Sequence, residues 1–208
     1  MALQKVCTPV ALVLYLAFSV NAHAEDGRFT PYVALRASME RADANQFIFN
    51  NGHGVIAAGG VRYKNDWRGE ISISRRESDI TSVPPIATDG YFRTWAFLVN
   101  IYYHPFGVDR PISPYVGVGG GFNHAAVEAI SDELQFRGMG FSKQTYFEES
   151  MQGKLGVGVR LRKGLYLDVA GAYFVSNDHQ VDAVFSHLDK VESAYRTYSG
   201  IVGFRLEL

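Results

Sequence analysis

The sequence predicts an all-β fold, an eight-stranded antiparallel up-and-down transmembrane β-barrel. Three observations carry this. From Phe29 onward, apolar residues alternate with polar or small ones at period two, the pattern of strands whose two faces meet different surroundings. After the first 24 residues no stretch reaches 18 consecutive apolar residues, so a membrane-embedded chain must cross with strands. The connections between strands alternate short and long, which sends every long loop to one end.

Residues 1–24 are a different kind of sequence. Lys5 is their only formal charge, Val10 to Val20 is an almost wholly apolar run, and Ala22-His23-Ala24 supplies an A-x-A cleavage pattern. This reads as a cleaved secretory signal peptide, since about a dozen apolar residues fall short of the ~20 that a spanning helix needs. Residues 25–208 then form one barrel domain. Cys7, the single cysteine, lies in the leader, which leaves the mature chain no disulfide, thiolate metal site or cysteine nucleophile. Without Lys5 there are 19 basic and 21 acidic residues, and this near-neutral balance suggests no nucleic-acid partner. With 47% apolar and 20% charged residues the chain is too balanced in composition to be disordered.

The strands follow in order. The first covers 29–41. The second, 54–64, and the third, 67–77, flank a tight Asn65-Asp66 turn. The fourth, 90–104, and the fifth, 114–126, are joined by the Pro/Gly-rich "PFGVDRPIS". The sixth, 150–162, and the seventh, 165–177, surround Lys163-Gly164. The eighth, 195–208, closes the chain. The remaining connections are long and polar: "ADANQFIFNNGHG", "SDITSVPPIATD", about two dozen residues around "AISDELQFRGMGFSKQTYFEE", and "NDHQVDAVFSHLDKVESA". Short turns on one rim and long loops on the other are the layout of outer-membrane barrels, with the loops outside the cell and both termini in the periplasm.

Alternation alone does not say which face is wet. Along 150–162, Leu155, Val157, Val159 and Leu161 oppose Lys154, Gly156, Gly158, Arg160 and Arg162; along 165–177, Leu165, Leu167 and Val169 oppose Tyr166, Asp168, Ala170 and Ala172. A soluble barrel turns the apolar face inward, a membrane barrel outward. The glycines and alanines share the charged face, which suits a narrow lumen. Trp67, Tyr91, Trp95, Tyr102, Tyr103, Phe106, Tyr173 and Tyr198 gather near strand ends, where interfacial girdles need amphipathic rings. The apolar face is therefore expected against lipid.

Taken together, the leader, the segment "NIYYHPFGVDRPISPYVGVGGGF" and the closing "GIVGFRLEL" resemble the small outer-membrane barrels of Gram-negative bacteria, the group of the OmpA transmembrane domain, OmpX/Ail and the opacity proteins. The resemblance covers the whole mature chain and specifies architecture better than activity. It implies an integral outer-membrane protein in contact with outer-membrane lipid and lipopolysaccharide. It also implies insertion by the barrel-assembly machinery, which reads a terminal phenylalanine with alternate apolar residues before it. Here Val202, Phe204, Leu206 and Leu208 fill those positions, so leucine stands where phenylalanine is usual.

The inward register collects Arg36, Arg62, Arg68, Glu70, Arg76, Lys154, Arg160, Arg162, Asp168, Arg205 and Glu207. Unpaired charges in a low-dielectric lumen are very costly, so these are expected to form strand-bridging ion pairs. Eight strands enclose only enough room for side chains, which makes a plug the expected state and a gated pore the alternative.

Catalysis finds little support. A His-x-Ser strand motif of the PagL-type deacylases is absent, because residues 55, 106, 126, 181 and 189, two past each histidine of the strands and loops, are not serine. A PagP-like arrangement could be drawn only from His53 with Ser78 and Asp79. His179 and His187 among Asp178, Asp182 and Asp189 match no strong metal-ligand spacing, and no cofactor signal is present. The third and fourth long loops do carry more apolar residues than a solvated connector needs: Leu134, Phe136, Met139, Phe141, Tyr146, Phe147, Val184, Phe185 and Leu188. They suggest either a surface for a host protein or glycan, or loop-on-loop packing above the membrane. The expected function is a monomeric, non-catalytic surface protein with a structural or adhesion role. A small gated pore is the alternative, and a lipid A-modifying enzyme a more distant one.

Overall fold

The computed structural model describes residues 29–43, 48–49, 51–83, 86–130, 144–176, 179–181, 191–193 and 196–208. The leader at 1–24 lies outside them. Among the described residues eight long strands form the barrel: β1 (Phe29–Asp43), β2 (Gly52–Tyr63), β3 (Trp67–Val83), β4 (Ile86–Tyr103), β5 (Ile112–Ile130), β6 (Gln144–Arg162), β7 (Leu165–Ser176) and β8 (Arg196–Glu207). Each pairs antiparallel with its sequence neighbours, and β8 pairs with β1 to close the ring. Ile48–Phe49 adds briefly to the far end of β3, and His179–Val181 pairs with Val191–Ser193.

Following paired residues once around the ring fixes the geometry. The path from Leu155 through Gly171, Gly200, Met39, His53, Glu77, Arg93 and Ala126 returns to β6 at Thr145, ten residues from its start. That stagger requires strands tilted by roughly 35–45°.

The short-turn end is a stitched floor. Each of its three turns contains one residue at positive φ: Lys64, Gly107 and Gly164. Asn65 Oδ1 accepts from the backbone N–H of Val108 at 2.9 Å, and a Cβ on Gly107 would lie 2.4 Å from Asn65 Nδ2. Glycine is therefore required at 107 by both its conformation and its neighbour. Gly164 O accepts from Glu207 N–H, and Pro111 O from Arg160 N–H, which ties the β6–β7 turn to β8 and β5.

Two of the expected long loops are shorter than the sequence suggested. "SDITSVPPIATD" is mostly strand: β3 continues to Val83 and β4 starts at Ile86, with Ser82 opposite Ala87. The polar residues and prolines masked an alternation that continues past the apolar band. Likewise β6 begins at Gln144. At 17 to 19 residues, β3 to β6 exceed the ~9–11 that a tilted crossing needs and project beyond a bilayer.

The outer wall shows which face meets lipid. Outward Leu35, Val55, Val99, Ile101, Val118, Leu155, Val169 and Val202 form an apolar band. Ring pairs Phe29–Tyr63 and Trp67–Tyr103 border it at the short-turn end, Phe122–Phe147 and Tyr173–Tyr198 toward the other. Tyr102, expected in these girdles, is instead buried in the lumen, as its adjacency to outward Tyr103 requires.

Candidate functional site

The lumen is filled by a charge plug whose parts come from six strands. Arg36 on β1 reaches across β2 to Glu70 on β3, donating from Nη1 to Oε1 at 2.9 Å and from Nη2 to Oε2 at 2.7 Å. The Tyr102 hydroxyl donates to Oε1 at 2.9 Å and the Tyr32 hydroxyl to Oε2 at 3.1 Å, so each carboxylate oxygen accepts twice. Asp168 on β7 is shared: its Oδ2 lies 3.4 Å from Arg36, 3.5 Å from Arg205 and 3.9 Å from Arg68. Lys154 donates to the Tyr102 hydroxyl at 3.1 Å.

A second storey lies nearer the long-loop end. Arg76 Nε is 3.2 Å from Glu40 Oε1, which also accepts from Ser38, and the guanidinium sits 4.1 Å from the Phe174 ring centre. Ile56, Ala172 and Ile201 form an apolar cluster between the storeys.

Among the described residues the buried side chains include five cations (Arg36, Arg68, Arg76, Lys154, Arg205) and three carboxylates (Glu40, Glu70, Asp168). Aromatic faces take up the difference. Arg68 lies 4.7 Å from the Tyr102 ring centre and 4.8 Å from that of Tyr115, and Arg205 is 4.0 Å from Tyr166. Three of these tyrosines fit because each lies over a glycine directly opposite on the next strand: Tyr32 on Gly60, Tyr102 on Gly117 and Tyr115 on Gly156.

At the short-turn side the plug ends in a relay. Arg68 Nε donates to His104 Nε2 at 2.8 Å, His104 Nδ1 is 2.7 Å from Ser113 Oγ, and Ser113 donates to Gly107 O at 2.7 Å. With Nε2 accepting and the serine hydrogen already used, the imidazole is neutral with its proton on Nδ1. This pair cannot do nucleophilic chemistry. The base has no lone pair toward the hydroxyl, and both residues have no exposed surface.

The structure brings Arg36, Arg68, Glu70, Lys154, Asp168 and Arg205 into one network and places Arg76 in the second storey. Arg62 and Glu207 meet at the short-turn mouth, 3.3 Å apart. Arg160 and Arg162 stand outside the network, exposed at the rim. Their parity continued the alternation beyond the point where a lumen wall exists, and the β6–β7 register shifts between them. Two lumen residues were not among the expected inward set: Glu40, which shares a face with Arg36, and His104, which ends the expected strand 90–104 two residues past inward Tyr102.

His53, Ser78 and Asp79 do not assemble into a catalytic group. His53 is exposed on the outer wall, whereas Ser78 is buried in the lumen. Of the apolar loop residues, Leu134, Phe136, Met139, Phe141, Val184, Phe185 and Leu188 lie outside the described residues. Tyr146 lies in β6, paired with Ala125 of β5, and Phe147 is on the outer wall, stacked 5.3 Å from Phe122. Val202, Phe204, Leu206 and Leu208 all face outward.

A closed antiparallel ring with an apolar exterior and a charged, filled interior defines a small integral outer-membrane β-barrel. The chain belongs to the outer membrane protein beta-barrel domain family, whose model matches residues 10–186. Among solved structures it is similar to Neisserial surface protein A, with a TM-score of 0.60 and 18% identity over 86% of this chain and 97% of that one. It is also similar to the outer membrane protein OprG from Pseudomonas aeruginosa, with a TM-score of 0.56 and 13% identity over 86% and 95%. Among curated proteins no sequence matches the chain.

Proposed function

We propose that the chain is a surface protein whose barrel is a non-catalytic anchor for its long-loop end, with a structural or adhesion role. The plug carries this reading. A lumen crossed by the ion pairs of Arg36, Glu70, Asp168, Arg68 and Arg205 supports a plugged barrel over a pore, and the buried Ser113–His104 pair offers no reacting group. What such a barrel presents to its surroundings is its rims. That one structural relative is named a surface protein is in keeping with this. In this reading the leader at 1–24 is removed, the barrel-assembly machinery inserts the chain as a monomer, the termini lie in the periplasm, and the long loops face outward toward lipopolysaccharide, host proteins or glycans.

The test uses cells producing the full chain or variants shortened within 131–143 or 182–190, with folding checked by heat-dependent gel mobility. Attachment to host-cell surfaces or immobilised glycans should fall with the loops while folding persists. In planar bilayers the unaltered protein should be silent. Well-resolved single-channel openings, or attachment indifferent to both deletions, would overturn the reading.

A further inference from the structure

The β6–β7 hairpin carries charge that the barrel does not use. Arg160, Arg162 and Lys163 are all exposed around the turn, and none makes an ion pair among the described residues. They border a hollow of about 530 Å³ at the short-turn mouth, with Arg62, Asp109 and Glu207 on its other side. Those two acids are already engaged: Arg62 is 3.5 Å from Asp109 and 3.3 Å from Glu207, which also accepts from Arg205 at 2.9 Å. The hairpin's three cations thus face the hollow without a counter-charge. The Asn65-Asp66 turn, by contrast, sets Lys64 next but one to Asp66.

Position adds a second constraint. Leu161 projects outward between Arg160 and Arg162, half exposed, and Ile112 on β5, paired with Val159 two residues before it, is also exposed. The cations therefore sit at the border between the apolar band and water, where lipid phosphates lie. The hairpin is held there through Gly164 O to β8 and Arg160 N–H to Pro111, so little ordering is left for a ligand to impose.

We propose that Arg160, Arg162 and Lys163 form a site for the phosphate headgroup of an anionic glycerophospholipid in the adjoining leaflet, with its acyl chains along Leu161 and Ile112. Guanidinium forks and an ammonium are suited to phosphate oxygens, and each cation at an anionic surface contributes about fivefold in affinity.

Native mass spectrometry of the folded, detergent-solubilised barrel tests this. Phosphatidylglycerol, zwitterionic phosphatidylcholine and inorganic phosphate are the probes. The unaltered protein should retain phosphatidylglycerol at least about tenfold over phosphatidylcholine, and the preference should shrink with added salt. The Arg160→Gln/Arg162→Gln/Lys163→Gln variant should lose it while keeping the mobility of a folded barrel. Arg75→Gln/Arg93→Gln, at the opposite end of the wall, should keep it. Equal retention by the unaltered and triple-variant proteins would overturn the proposal, as would displacement of the lipid by inorganic phosphate at equimolar concentration.

Discussion

Arg36 and Glu70 form a two-pronged ion pair, at 2.7 and 2.9 Å, across a strand that contributes to neither. It ties β1 to β3 through the lumen rather than through the backbone ladder. Removing one partner strands the other in a low-dielectric interior. Glu70→Gln should destabilise the barrel by about 3–5 kcal/mol, and Arg36→Met combined with Glu70→Gln should recover part of that loss. Urea unfolding in phospholipid vesicles measures both. A single-variant loss no larger than that of exposed Arg75→Gln would mean that the pair is solvated.

Tyr102 reaches Glu70 by lying over Gly117, and a Cβ at 117 would come within 2.3 Å of its ring. Gly117→Ala should therefore push the ring off its place and cost about 1–3 kcal/mol. The same substitution should cost much less in a Tyr102→Ser background, where the obstacle is gone. Equal costs in the two backgrounds would show that the ring does not need the glycine.

Much of this was legible in the sequence, for identifiable reasons. Alternation, turn residues and the small residues beside the charges determine which side of each strand faces in, because side chains of a strand have no third option. Hence Arg36, Glu70 and Asp168 could be placed inside before any geometry was known. Parity carries no information about height along the barrel. It could not tell that Arg160 lies at the rim while Lys154, on the same face, is buried, nor that Arg76 belongs to a separate storey. Prolines at 84 and 85 suggested a long loop where two paired strands run on to Val83 and from Ile86. His104 depended on a contact with Ser113 across a turn whose shape only the fold supplies.

The orientation of the wall is testable at two depths. Val118 is 69% exposed in the middle of the apolar band, and Ile112 is 62% exposed at its edge. A water-facing wall would tolerate lysine equally at both. Against lipid, Val118→Lys should cost about 2–4 kcal/mol and Ile112→Lys about 0–1 kcal/mol. Unfolding titrations in vesicles give the two values, and near-identical results would place the outer wall in water.

Leu208 follows directly on β8, faces outward in line with Val202, Phe204 and Leu206, and donates its N–H to Pro31 O at 2.9 Å where β8 meets β1. Its side chain is half exposed, so exchanging it changes little packing and should leave equilibrium stability within about 0.5 kcal/mol. If the insertion machinery reads this end of the strand as it reads a terminal phenylalanine, Leu208→Phe should speed assembly only where that machinery is present. The measurement is the folded fraction against time in vesicles with and without it, scored by heat-dependent mobility. Equal acceleration in both would assign the effect to partition of the ring into the bilayer, and no acceleration in either would mean that leucine already serves.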